Sequence, residues 1–64
     1  MKPRPSLSSR QREIMRLILR GKADKEISTA LGISKGTLKN HLARIFLKLG
    51  ANSRAHAVAI FLSE

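Results

Sequence analysis

The 64-residue chain contains no cysteine, so neither a disulfide nor a thiolate zinc site can hold it together. No apolar run approaches the ~20 residues of a membrane span, and Met1 to Ser6 lacks the apolar stretch of a secretion signal. No segment alternates apolar and polar residues long enough to form a strand. Carboxylates are scarce: they are Glu13, Asp24, Glu26 and Glu64, with none from Ile27 to Ser63. These absences exclude a disulfide scaffold, a thiolate zinc finger and a membrane-spanning protein, and they leave an all-α, cytoplasmic domain as the expectation. A chain of this size buries only roughly 60% of the surface its unfolded form exposes. Its stability therefore has to come from helix packing, with help from a partner subunit.

What the chain has in excess is positive charge. Thirteen Lys and Arg against four Asp and Glu give a net charge of +9. Such a surface attracts polyanions and gains affinity by releasing condensed counterions, which favours DNA or RNA over an anionic membrane. The plain alternative is a basic surface that serves only solubility.

Cap and stop signals divide the chain into four helices. The first is expected from about Ser9 to Arg20, with Ser8 as N-cap, Gln11 completing a capping box, Ile14, Leu17 and Ile18 as its apolar stripe, and Gly21 ending it. The second runs Lys25 to Leu31, capped by Asp24, whose carboxylate also suits the positive end of a helix. Gly32-Ile33-Ser34 is a turn too short to let the next helix run antiparallel. It forces the steep crossing of a helix-turn-helix, whose second helix enters the major groove of DNA. That helix is Lys35 to Leu49, capped by Ser34 and closed by Gly50; a fourth follows Ser53 and runs from Arg54 to Leu62. Met1 to Ser6 holds both prolines and reads as a disordered lead-in or linker tail, leaving residues 7–64 as the domain.

A wheel of the third helix at about 100° per residue separates its faces. Leu38, Leu42, Ile45 and Leu49 cluster as a core seam. Gly36, Asn40, Ala43 and Leu47 lie opposite, flanked by Lys39 on one edge and by Thr37, His41 and Arg44 on the other. Lysine can donate to guanine O6 and N7, and asparagine can pair with adenine N6 and N7, so Lys39 and Asn40 are the expected base readers. Ala43, on the same face, can touch only a thymine methyl or backbone. Lys39 has a competing role as a phosphate contact without sequence information. Lys25, Ser34, Lys35, Thr37, His41, Arg44 and Arg54 sit beside this face or at helix starts and are expected to meet phosphates.

The fourth helix is apolar nearly all round. Ala55, Val58, Ala59 and Leu62 form one stripe, with Ala57, Ile60 and Phe61 across much of the other side. Either Ile60 and Phe61 fold back onto the first helix, or Ala57, Ile60 and Phe61 form a two-fold dimer contact.

Enzymatic chemistry has little to stand on. His41 and His56 are the only histidines, with no nearby carboxylate, so a metal site or catalytic triad is not expected. Asp24 and Glu26 point about 200° apart on a helical wheel and cannot act as a pair. No glycine-rich phosphate cradle is present, and no cofactor or small-molecule ligand is expected.

Over Leu7 to Leu62 the chain resembles the LuxR-type, or GerE-type, helix-turn-helix domain. The matching pieces are Leu7-Ser8 with Arg10 and Glu13, Gly21, Lys25-Glu26-Ile27, Ser34 with Thr37-Leu38-Lys39 and His41, Lys48-Leu49-Gly50, and Ser53-Arg54-Ala55 with Ala57-Val58. Their order and unbroken spacing carry the resemblance. It implies a four-helix DNA-binding output domain of bacterial transcription regulators. In that family the position of Lys39 commonly contacts bases with help from that of Asn40, the positions of Lys25, Thr37 and His41 commonly meet phosphates, and the fourth helix often mediates dimerisation. Three residues depart from the pattern. Gln11 replaces a usual glutamate, keeping the capping box but giving up the charge of an ion pair. Ser28 replaces an alanine at the helix crossing and needs a backbone acceptor for its hydroxyl. Ala43 stands where some members carry a second basic base reader.

The expected function is sequence-specific binding of double-stranded DNA, as a homodimer on operator half-sites, with RNA polymerase as a further partner. Two other classes are distinguishable. A sigma-like or adaptor module would grip polymerase through Leu47 and the apolar fourth helix. A membrane-surface peptide would need one long amphipathic helix in place of several short capped ones.

Overall fold

A computed structural model describes residues 7–63. It contains four helices: α1 (Ser9–Leu19), α2 (Asp24–Leu31), α3 (Lys35–Leu49) and α4 (Arg54–Leu62), with no strand among the described residues. The expected lead-in at residues 1–6 lies outside them.

Local signals place most of the helix ends. Ser8 caps α1 reciprocally: its hydroxyl accepts from the Gln11 amide at 3.1 Å, and Gln11 Oε1 accepts from the Ser8 amide at 2.8 Å. Ser34 Oγ accepts from the Thr37 amide at 3.0 Å, and Ser53 Oγ from the His56 amide at 3.1 Å, so α3 and α4 begin as expected. Helix α2 differs. Asp24 is its first residue and not its cap; the cap position is Ala23, which has no side-chain acceptor. Only the reciprocal half of a capping box forms there, with Glu26 Oε1 accepting from the Ala23 amide at 2.8 Å. The Asp24 carboxylate turns instead to the guanidinium of Arg54, 2.7 Å away.

The turn between α2 and α3 is built by three successive residues. Gly32 takes the left-handed conformation, φ +67°, where any side chain would be strained. The Ile33 amide then donates to the Ser28 carbonyl at 3.0 Å while its half-buried side chain packs against the core. Ser34 opens α3. The Ser28 hydroxyl donates to the Asp24 carbonyl at 2.7 Å, the backbone acceptor that a hydroxyl at this crossing needs.

The core joins all four helices. Ile14 and Met15 from α1, Ile27 from α2, Leu38, Leu42, Ile45 and Leu49 from α3, and Ala57 from α4 are buried with Leu7. Burying each large member contributes about 1.5–3 kcal/mol. All four residues of the α3 seam are inside, as its wheel requires. On α1 the seam is turned toward Met15: Met15 is fully buried, whereas Leu17 and Ile18 are half-buried at the rim.

Helix α3 packs against α2 on one side and α4 on the other, and α1 packs against all three. Helices α2 and α4 do not pack on each other; Arg54 and Asp24 tie their first residues together. Both side chains are about two-fifths exposed, 42% and 40%, so water and salt screen the pair and it orients more than it stabilises. A second link runs from α1 to α3, where Lys48 Nζ donates to the buried Gln11 Oε1 at 3.1 Å. Gln11 thus keeps the cap and the interhelical hydrogen bond without a carboxylate's charge.

The fourth helix resolves against a dimer contact at Ala57. That residue is 0% exposed within one protomer and has no surface to offer a partner. Ile60 and Phe61 are half-buried and pack against the same core. The physical reason is the groove that α1 and α3 present to α4, which covers the Ala57 side and leaves Ala55, Ala59 and the 67%-exposed Leu62 outside.

Candidate nucleic-acid interface

The outer side of α3 is a continuous surface facing away from the other three helices. Gly36, Asn40 and Ala43 are exposed along it, with Lys39 on one edge and Lys35, Thr37 and Arg44 also exposed. His41 is half-buried, lower on the flank. Between Lys35 and Leu49 there is no acidic residue beside Lys35, Lys39 and Arg44. The helix therefore presents a positive rim around a face made of a bare glycine, an alanine methyl and one carboxamide.

At the start of α3 the hydroxyls are ordered. Ser34 Oγ donates its proton to Thr37 Oγ1 at 2.9 Å while accepting from the Thr37 amide. Ser34 Oγ is thus engaged twice with Thr37, once as acceptor and once as donor. Away from this end, the starts of α2 and α4 are joined by the Arg54–Asp24 pair. Lys25 is exposed there, and Arg54, through Asp24, is held against the first turn that carries Lys25. Arg54 is thus committed to a carboxylate and keeps only its remaining N–H groups for a phosphate. The sequence did not disclose that pairing, because the two residues lie 30 positions apart.

His56 is occupied elsewhere. Its Nδ1 accepts from the Asn52 amide at 3.0 Å and closes the loop before α4. Among the described residues no group of three or more His, Cys, Asp or Glu side chains could hold a metal ion, and no helix is long and apolar enough to cross a membrane.

Gly36 lies in the first turn of α3, where glycine is costly in a helix. A Cβ built there would meet only Ser34 Oγ, at 3.9 Å, an ordinary contact. Alanine therefore fits the isolated domain, and Gly36→Ala should raise its melting temperature by a few degrees, corresponding to at most ~1 kcal/mol. If the bare backbone lets the helix start sit close to DNA, the same variant should bind more weakly in a mobility-shift assay. Tighter binding by the more stable variant would refute that role.

A short helix, a left-handed glycine turn and a basic, acid-free second helix with an uncovered outer face together define a DNA-binding helix-turn-helix domain. Comparison with known proteins agrees. The chain belongs to the luxR family of bacterial regulatory proteins, whose family model matches residues 5–61. It is 39% identical over 59 residues to the spore germination protein GerE of Bacillus subtilis (strain 168), covering 92% of this chain and 80% of that protein. A solved structure of the transcription factor GerE superposes with a TM-score of 0.84 at 38% identity, over 89% of this chain and 85% of the other. The putative HTH-type transcriptional regulator YhjB of Escherichia coli (strain K12) is 46% identical over 52 residues, 81% of this chain. The chain spans only about a quarter of that relative, 26% of its length.

Proposed function

We propose that residues 7–64 bind double-stranded DNA sequence-specifically as the output domain of a cytoplasmic bacterial transcription regulator, with α3 in the major groove. The observation that carries this reading is the outer face of α3, exposed, acid-free and rimmed by Lys35, Lys39 and Arg44. Lys39 and Asn40 read base edges, and Ala43 meets a thymine methyl or backbone. Lys25, Lys35, Thr37, His41, Arg44 and the free edge of Arg54 meet phosphates, with Ser34 positioning Thr37. RNA polymerase is the expected protein partner, in keeping with relatives named as transcriptional regulators.

The domain acts as a homodimer whose contact is the outer stripe of α4, Ala55, Ala59 and Leu62, in place of the buried Ala57 side. A closed two-fold contact there puts two copies of α3 in half-sites ~10 bp apart, centre to centre. One short helix per subunit buries little area, and each copy carries a net charge of +9, so the dimer forms on DNA more readily than free in solution.

Selection of bound sequences from random duplex DNA tests the reading: it should enrich one motif with two-fold symmetry. Enrichment of no motif would sink sequence-specific binding. Phosphate-binding cations have their own signature. Lys25→Ala or Arg44→Ala should weaken binding to selected and random DNA alike and lower the magnitude of the salt slope by roughly one for each phosphate left unneutralised. An unchanged slope would mark the residue as a bystander.

A further inference from the structure

Gly36, Asn40, Ala43 and Leu47 fall within about 60° of one another on the wheel of α3, making one stripe along its outer side. Leu47 ends the stripe and is 82% exposed, more than Leu62 at 67% or Leu19 at 38%. A single exposed leucine usually calls for no explanation. This one continues a row of base-facing residues, and its nearest neighbours on the helix surface include Ala43 and the cation Arg44. A protein partner at a stable interface covers ~800 Å² on each side with an apolar centre, and one leucine beside Ala43 and Arg44 does not supply such a centre. A thymine methyl is the matching target: one small apolar group on a polar groove floor, flanked by phosphates that the exposed Arg44 can meet.

We propose that Leu47 is a further specificity-determining residue, which packs on the C5 methyl of a thymine in the major groove and extends the reading stripe to the C-terminal end of α3. The proposal rests on α3 lying in the major groove. A straight helix diverges from the curved groove toward its ends. At the C-terminal end, leucine reaches further than Ala43 and carries no charge to draw it to a phosphate. Asn40 and Leu47 are separated by about 10 Å along the axis, roughly three base-pair steps. The thymine read by Leu47 therefore lies about three steps from the base read by Asn40.

The test uses the duplex enriched by selection and a set of duplexes in which each thymine is singly replaced by deoxyuridine, which removes only the methyl. At one thymine, about three steps from the position sensitive to Asn40→Ala, deoxyuridine should weaken the wild-type chain about fourfold, as expected for one buried methyl. Leu47→Ala should bind the thymine duplex with a similar loss and become indifferent to deoxyuridine at that position. Circular dichroism should be unchanged, since Leu47 is exposed and alanine is the better helix former. If Leu47→Ala keeps the wild-type sensitivity at every thymine, the proposal is overturned. It is equally overturned if the variant binds DNA normally but loses only polymerase-dependent transcription, which would make Leu47 a protein contact. Failure to enrich any sequence would remove the underlying reading, and this one with it.

Discussion

Ala57→Glu should leave little folded protein at room temperature. Ala57 is 0% exposed inside the cluster formed by α1, α3 and α4, and a carboxylate there would have to enter the core or force α4 off it. An uncompensated buried charge costs about 3–5 kcal/mol. Total stability at roughly 0.05–0.15 kcal/mol per residue is only ~3–10 kcal/mol for a chain of this size. Helicity by circular dichroism should fall and the thermal transition should broaden or vanish. Ala59→Glu is the contrasting variant: Ala59 is exposed, so helicity and half-site binding should persist while cooperative occupancy of a full site is lost. A folded Ala57→Glu that lost only cooperativity would return the dimer contact to Ala57 and contradict the packing of α4.

Lys39→Ala and Asn40→Ala should each cost ~1–3 kcal/mol on the selected duplex, roughly a five- to 150-fold loss of affinity, and much less on random DNA. Both side chains are exposed on the outer face of α3, so the folded state should tolerate the changes. Fluorescence anisotropy on paired selected and scrambled duplexes measures the difference. Equal losses on both would assign the residue to the phosphate class and shift base reading elsewhere on α3.

Most of the fold was legible because its boundaries are written locally. A serine whose hydroxyl reaches the third amide onward starts α1, α3 and α4, and Gly32 and Gly50 end helices by occupying conformations other residues avoid. The seam of α3 was legible because its opposite face, Leu47 apart, is polar or small, which sets the phase of the wheel. Helix α2 resisted at its start: Ala23 carries no capping atom, and Asp24, which resembles a cap, is drawn to Arg54 by tertiary structure. Helix α4 resisted more deeply. A helix apolar on every side has no phase, so only the groove between α1 and α3 decides that Ala57 faces inward and Ala59 outward. On α1, Leu17 and Met15 compete for the seam, and packing against the other helices chooses Met15.

The candidate site divides the same way. Lys39, Asn40 and Ala43 share an exposed face because helical periodicity alone requires it. The engagement of Ser34 with Thr37 follows from the cap and is nearly local. The commitment of Arg54 to Asp24, and of Gln11 to Lys48, joins residues distant in the chain and leaves no periodic trace.

Whether the outer face of α3 meets the bases is tested most directly by amide chemical shifts, recorded as the selected duplex is added to isotope-labelled protein. The largest changes are expected from Lys35 to Leu47, with smaller ones around Lys25 at the start of α2. Changes concentrated on Arg12, Arg16 and Arg20 of α1, with α3 unmoved, would contradict a recognition role for α3.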